Sequence, residues 1–171
     1  MSELEKVKTL LLADVHRRLF SEGTIRIKKC LSHLSTEQIW YKHNDNTNSV
    51  GNLVLHLCGN VRQYILHGID GRADTRKRHL EFSETGPIET KILVDKLNQL
   101  ELDVTAALNR IKPQHLIQDR KVQGFDENVT SILVHVAEHF SYHVGQITFY
   151  TKYILDVDTG YYAGLDLDVT G

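Results

Sequence analysis

The residues best suited to chemistry lie in one segment, Ser131-Ile-Leu-Val-His135-Val-Ala-Glu-His139-Phe-Ser-Tyr142-His143-Val-Gly-Gln146-Ile147. Histidines recur there at every fourth position, inside a run that otherwise reads as a buried helix. Residues four apart sit one turn up the same helical face, with Cβ atoms roughly 5–6 Å apart. Two imidazoles so placed can converge on one cation through bonds of about 2.0–2.1 Å. A core-facing stripe of imidazoles is otherwise costly unless each ring finds a partner. The pattern is that of a metal site.

Each four-residue step turns the side-chain direction by about 40° on a 3.6-residue helix, so three successive histidines fan over a wide arc. His139 and His143 form the pair aimed at one ion, and Gln146 shares their face. His135 falls to the group around the ligands, with Tyr142 and Gln146, where side chains orient a metal ligand rather than bind the metal. Two side chains hold an ion weakly, so a further ligand has to come from another element. His56, in Asn52-Leu-Val-Leu-His56-Leu-Cys-Gly-Asn60, is the candidate: an imidazole mid-helix among core-type residues. Taken alone it reads as a core histidine bonded to a buried acceptor; the His139–His143 pair makes it a ligand candidate.

Competing signatures are missing. His139-Phe-Ser-Tyr-His143 lacks the glutamate of the HExxH proteases. The Glu-x-x-His pairs of di-iron bundles do not occur, nor do the glycine-rich phosphate loops. A mononuclear site with three histidines and open positions remains.

The elements that must position these residues are helical. Only Pro87 and Pro113 interrupt the chain. Leu4, Val7, Leu11, Val15 and Leu19 recur at three and four, the period of an amphipathic helix. Gly23 breaks that pattern, and Ile25, Ile27 and Leu31 continue it to about Leu34. A second helix starts at Asn48 or Ser49 as N-cap and ends near Gly68, carrying His56. A polar loop runs from Asp70 to Gly86, with Glu81-Phe82 packing locally. Pro87 suits the first turn of a third helix, which ends before Pro113. Short extended pieces at Leu116–Gln118 and Lys121–Gln123 precede a fourth helix, from Asp126–Thr130 to about Ile154. The expected fold is all-α: one domain over residues 1–171, a four-helix bundle with a long loop after the second helix.

Composition bounds the partners. The chain has 171 residues, a net charge of −2, 41% hydrophobic and 25% charged residues, ordinary values for a globular domain. This balance offers no electrostatic case for nucleic acid. The basic run Arg72–His79 is short and flanked by Asp70 and Glu81, which reads as a solvated loop. No run approaches the roughly 20 apolar residues of a membrane span. The start, Met-Ser-Glu-Leu-Glu-Lys, has no apolar leader, and Cys30 and Cys58 form no disulfide framework. A cytoplasmic location is expected.

The combination of His56 in this helical setting with a later His-x-x-x-His-x-x-Gln, His139 to Gln146, resembles the DinB/YfiT-like superfamily of metalloenzymes. Within it the DUF1572 group is the nearest likeness, including the Arg-x-Arg-x-x-Glu-Phe stretch from Arg76 to Phe82. The resemblance implies a helical bundle, a homodimer, and one divalent ion, zinc or nickel, held by His56, His139 and His143. It also implies a small-molecule thiol or electrophile as substrate, since relatives include low-molecular-weight-thiol-dependent transferases. Arg76 and Arg78, on the loop after the His56 helix, are candidates for binding a substrate carboxylate. Two readings stay open: a metal-dependent S-transferase or hydrolase, and a non-catalytic metal-binding or interaction protein of the same fold.

Overall fold

The computed structural model describes residues 2–170, so the two ends of the domain expected over 1–171 lie outside the described residues. Four long helical segments dominate. The first is continuous in space: α1 (Glu3–His16), a π-helical stretch at Arg17–Thr24, and α2 (Ile25–His33). The wide turn falls where Gly23 breaks the heptad-like pattern. A Cβ on Gly23 would stand 2.8 Å from the Phe140 ring, so the missing side chain lets this segment approach the last helix closely.

A short helix, α3 (Thr36–Trp40), leads to the second long segment, α4 (Val50–Val61), which runs on in π-helical form through Arg62–His67. Ser49 is its N-cap. The Ser49 hydroxyl accepts from the Asn52 amide (3.1 Å), and the Asn52 side-chain oxygen accepts from the Ser49 amide (3.2 Å). This reciprocal capping satisfies two donors that a helix start leaves unpaired. The loop after α4 contains a further helix, α5 (Arg78–Ser83).

The third long helix is α6 (Thr90–Leu108). Its Leu93, Leu97, Leu100, Val104 and Leu108 form the buried stripe, at the spacing an amphipathic helix requires. Pro87 lies ahead of it rather than in its first turn. The Trp40 indole N–H donates to the Ile88 carbonyl (3.1 Å), which holds residues 87–89 as a bridge to α3. The fourth, α7 (Val129–Leu155), is capped by Asn128, whose side chain accepts from the Ser131 amide (2.9 Å).

A two-stranded antiparallel sheet, absent from the all-α expectation, joins α6 to α7. Its strands are β1 (Asp119–Val122) and β2 (Phe125–Asn128). Positive φ at Gln123 and Gly124 makes the tight turn between them. Of the two extended pieces foreseen from sequence, the one around Lys121 is in this hairpin and Leu116–Gln118 is not.

Packing runs in a circuit. The first segment lies on α7, α7 on α4, α4 on α6, and α2 reaches α6. Leu19, Phe20, Ile27, Leu57, Val61, Leu97, Leu100, Ile132, Val136 and Phe140 fill the space between. Burial of such side chains contributes roughly 1.5–3 kcal/mol each relative to exposure. Where α4 passes α7, the apolar layer gives way to histidines. No helix among the described residues is long and apolar enough to cross a membrane.

Candidate metal centre

His56 from the middle of α4 meets His139 and His143 from the middle of α7. The His56 ring lies 5.1 Å from each of the other two, centroid to centroid, and His139 and His143 are 4.6 Å apart. All three pairs meet edge to face, at 71°, 83° and 85°. One nitrogen from each ring can be chosen so that all three lie within 4.8 Å of one another. His56 and His143 are buried and His139 is partly so.

The outer nitrogens of two rings are tied off. His56 Nδ1 is 2.9 Å from the Glu81 carboxylate and His143 Nδ1 is 2.6 Å from the Gln146 side-chain oxygen. An ionised carboxylate and an amide oxygen only accept, so both Nδ1 atoms carry the proton and each Nε2 keeps its lone pair. His56 Nε2 lies 2.9 Å from His139 Nε2. Burial, reinforced by the charges the neighbouring histidines would carry, pushes the His139 pKa down to about 4. Burial also lowers that of His143, with Gln146 working the other way. Both rings are thus neutral near pH 7, the form in which imidazole binds a metal. The donor set, its convergence and its protonation fit one divalent ion.

His135 stacks on the far side of His139 at 5.4 Å and 17°, with Tyr64 4.4 Å beyond it. It stands outside the triangle, and its Nε2 is buried with no hydrogen-bond partner among the described residues. Tyr142 is exposed, packs edge-on to His143 at 5.0 Å, and accepts from the Gln146 amide nitrogen at 3.3 Å. Together with the partly exposed His139, Tyr142 and Gln146 mark the solvent side of the site.

The loop after α4 takes part more deeply than its polar composition suggests. Through α5 it places Glu81 against His56 and stacks Phe82 on the same ring at 4.8 Å. The Arg76 side chain is only 4% exposed. Its Nε and Nη2 donate to the two oxygens of Glu81 (2.7 and 2.9 Å), and Nη1 donates to Gln63 (2.8 Å). The Arg76 guanidinium is thus engaged by Glu81 and Gln63 and buried, not open to solvent as its charge suggested. Arg78 does face solvent and lies over the Phe82 ring, 4.8 Å from its centre. In the sequence, only the Arg-x-Arg-x-x-Glu-Phe stretch that contains Glu81 points to it. Although burial opposes its charge, Arg76 and then His56 hold its pKa below the ordinary glutamate value.

Comparison with known proteins agrees with this architecture. The solved structure of a DinB-like protein from Bacillus cereus superposes with a TM-score of 0.60, covering 78% of this chain and 87% of the other, at 18% sequence identity. The chain thus has a DinB-like fold. Residues 8–161 match the family described as "Protein of unknown function (DUF1572)", and the chain belongs to that family. No curated protein shows significant similarity to it.

Proposed function

We propose that the chain binds one divalent ion, zinc or nickel, through His56, His139 and His143, and uses it to transfer a low-molecular-weight thiol onto an electrophile. The observation that carries this reading is the pair of anchored rings: His56 on Glu81 and His143 on Gln146, each with Nε2 turned inward. Three protein ligands leave coordination positions open. A divalent ion supplies Lewis acidity, lowering the pKa of a coordinated thiol toward neutrality.

The chain's own residues do the rest. Phe82 and the flanking helices keep water from the buried side of His56, and Tyr142 and Gln146 border the accessible side. Arg78, exposed over the Phe82 ring, is the residue assigned in this reading to a substrate carboxylate. Hydrolysis is less well served: Glu81 is engaged by Arg76 and His56, and Glu138 is exposed on another face of α7. Neither carboxylate is offered as a general base. A homodimer fits the exposed apolar residues of α7, Val134, Phe149 and Tyr153, which a second copy would cover.

The test has two stages. Purified protein should contain about one divalent ion per chain by elemental analysis, and His139→Ala or His143→Ala should lose it. Full occupancy in both variants would overturn the site. Metal-loaded protein is then assayed with a panel of small thiols and electrophiles. Turnover abolished by His56→Ala supports the transferase; inertness across the panel with metal bound favours a non-catalytic role.

A further inference from the structure

Glu81 sits where a side chain of α4 would normally be. A Cβ on Gly59 would come 1.9 Å from Glu81 Oε1, closer than atoms can approach, and within a tight 3.1 Å of Arg76 Nε. Gly59 lies in the interior of α4, where glycine is roughly 0.8–1 kcal/mol less favourable than alanine. The helix thus has a notch at that position, and the notch holds the carboxylate.

Resting on the metal-site reading above, we propose that Glu81 is a positioning residue of the centre. Clamped by Arg76 in the notch left by Gly59, it holds His56 in the Nδ1–H tautomer and aims Nε2 at the ion.

Each part of the clamp has its own support. The Arg76 guanidinium grips both carboxylate oxygens, the paired geometry that makes arginine–carboxylate bonds strong and directional. Arg76 Nη2 also lies 3.2 Å from His56 Nδ1. Two donors cannot bond to each other, so Glu81 Oε2 is the atom that accepts from both. The α5 backbone that carries Glu81 is pinned to α4 by Asn52, whose side-chain nitrogen donates to the carbonyls of Glu81 (2.9 Å) and Glu84 (2.7 Å). Lys42 donates to the Phe82 carbonyl (3.1 Å). Without the carboxylate, the Arg76 donors would face His56 Nδ1 directly. Nδ1 would then accept, the proton would move to Nε2, and that nitrogen could no longer ligate. Glu81→Gln disturbs the clamp, because its NH2 must take one of the two oxygen positions: at Oε1 it meets the Arg76 Nε donor, and at Oε2 it donates to His56 Nδ1 and so favours the Nε2–H ring.

Long-range proton–nitrogen NMR on the metal-free full chain reads the His56 tautomer directly. The wild type should show Nδ1–H; an Nε2–H ring there overturns the proposal. In Glu81→Gln, and independently in Gly59→Ala, which keeps every charge but fills the notch, the population should move toward Nε2–H. Competition with a zinc chelator should show affinity falling about 10–100-fold in both, the range typical for loss of a ligand's hydrogen-bond partner. Variants that keep the wild-type tautomer and affinity overturn the role of Glu81. A wild type that binds no zinc overturns the metal reading instead, while the tautomer measurement still decides the clamp. Should Glu81→Gln fail to fold, as circular dichroism would reveal, the wild-type tautomer and Gly59→Ala carry the decision.

Discussion

His143 Nδ1 stands 2.6 Å from the side-chain oxygen of Gln146, one turn further along α7. The bond fixes which nitrogen of His143 carries the proton and turns the other toward His56 and His139. In the proposed metal site Gln146 would act on the ion through His143. Gln146→Leu should weaken zinc binding by about tenfold, the lower end for such partners, whereas Gln146→Glu, which still accepts, should retain it. Chelator competition measures both, and equal weakening in the two variants would deny the hydrogen bond its role.

Much of this arrangement is local and hence readable. The Ser49 start of α4, the Asn128 region as the start of α7 and the fourfold spacing of the histidines are short-range signals of capping and helical period. What escaped depends on contacts distant in sequence. Glu81 lies 25 residues from His56, on a six-residue helix too short to show a period and inside a polar loop. Arg76 looked like a substrate anchor because charge suggests exposure; its burial follows from pairing with Glu81. Gly23 reads as a break in the sequence, since the close approach of Phe140 that calls for a glycine there comes from a helix distant in the chain. Pro87 suggested a helix start, but its neighbour Ile88 is held by Trp40.

Gly23→Ala tests that approach. Alanine in a helix is normally favoured over glycine by roughly 0.8–1 kcal/mol. Here the new methyl would press on the Phe140 ring, and overpacking a filled core costs about 1–3 kcal/mol. The clash should win, giving a net destabilisation on the order of 1 kcal/mol. A denaturant midpoint higher than that of the wild type would show that Phe140 gives way easily.

Asp70 should make stability depend on acid. Its hydrogen bond from Arg110 comes first in holding its pKa below the usual aspartate value; partial burial opposes this, and Arg72 adds to the lowering. The two guanidinium groups bond it at 2.6–3.0 Å. A lowered folded-state pKa means stability that is present above the unfolded value, about 3.9, and lost as pH falls through the folded one. Asp70→Asn should therefore be less stable than the wild type at pH 7, with the gap closing below about pH 4. Thermal melts across that range check it; a constant gap would assign the effect to packing rather than charge.

The segment after α7 returns to the first helical segment at Tyr161. Tyr161 Oη lies 3.1 Å from the Cys30 sulfur and 3.0 Å from the Thr148 hydroxyl, while the Arg26 guanidinium packs over the tyrosine ring at 5.2 Å. Cys30 is fully buried beneath it. Tyr161→Phe removes the hydroxyl but keeps the ring, so it should cost about 0.5–1.5 kcal/mol, the usual net value of a hydrogen bond, and leave the cover in place. Tyr161→Ala removes both. Cys30 should then react with a thiol reagent much faster than in either the wild type or the phenylalanine variant, because its protection comes from the ring. Labelling followed by mass spectrometry separates Cys30 from Cys58, which stays buried in α4. Unchanged Cys30 labelling in Tyr161→Ala would mean that α2 and α7 alone shield the thiol and that the returning segment only rests on them.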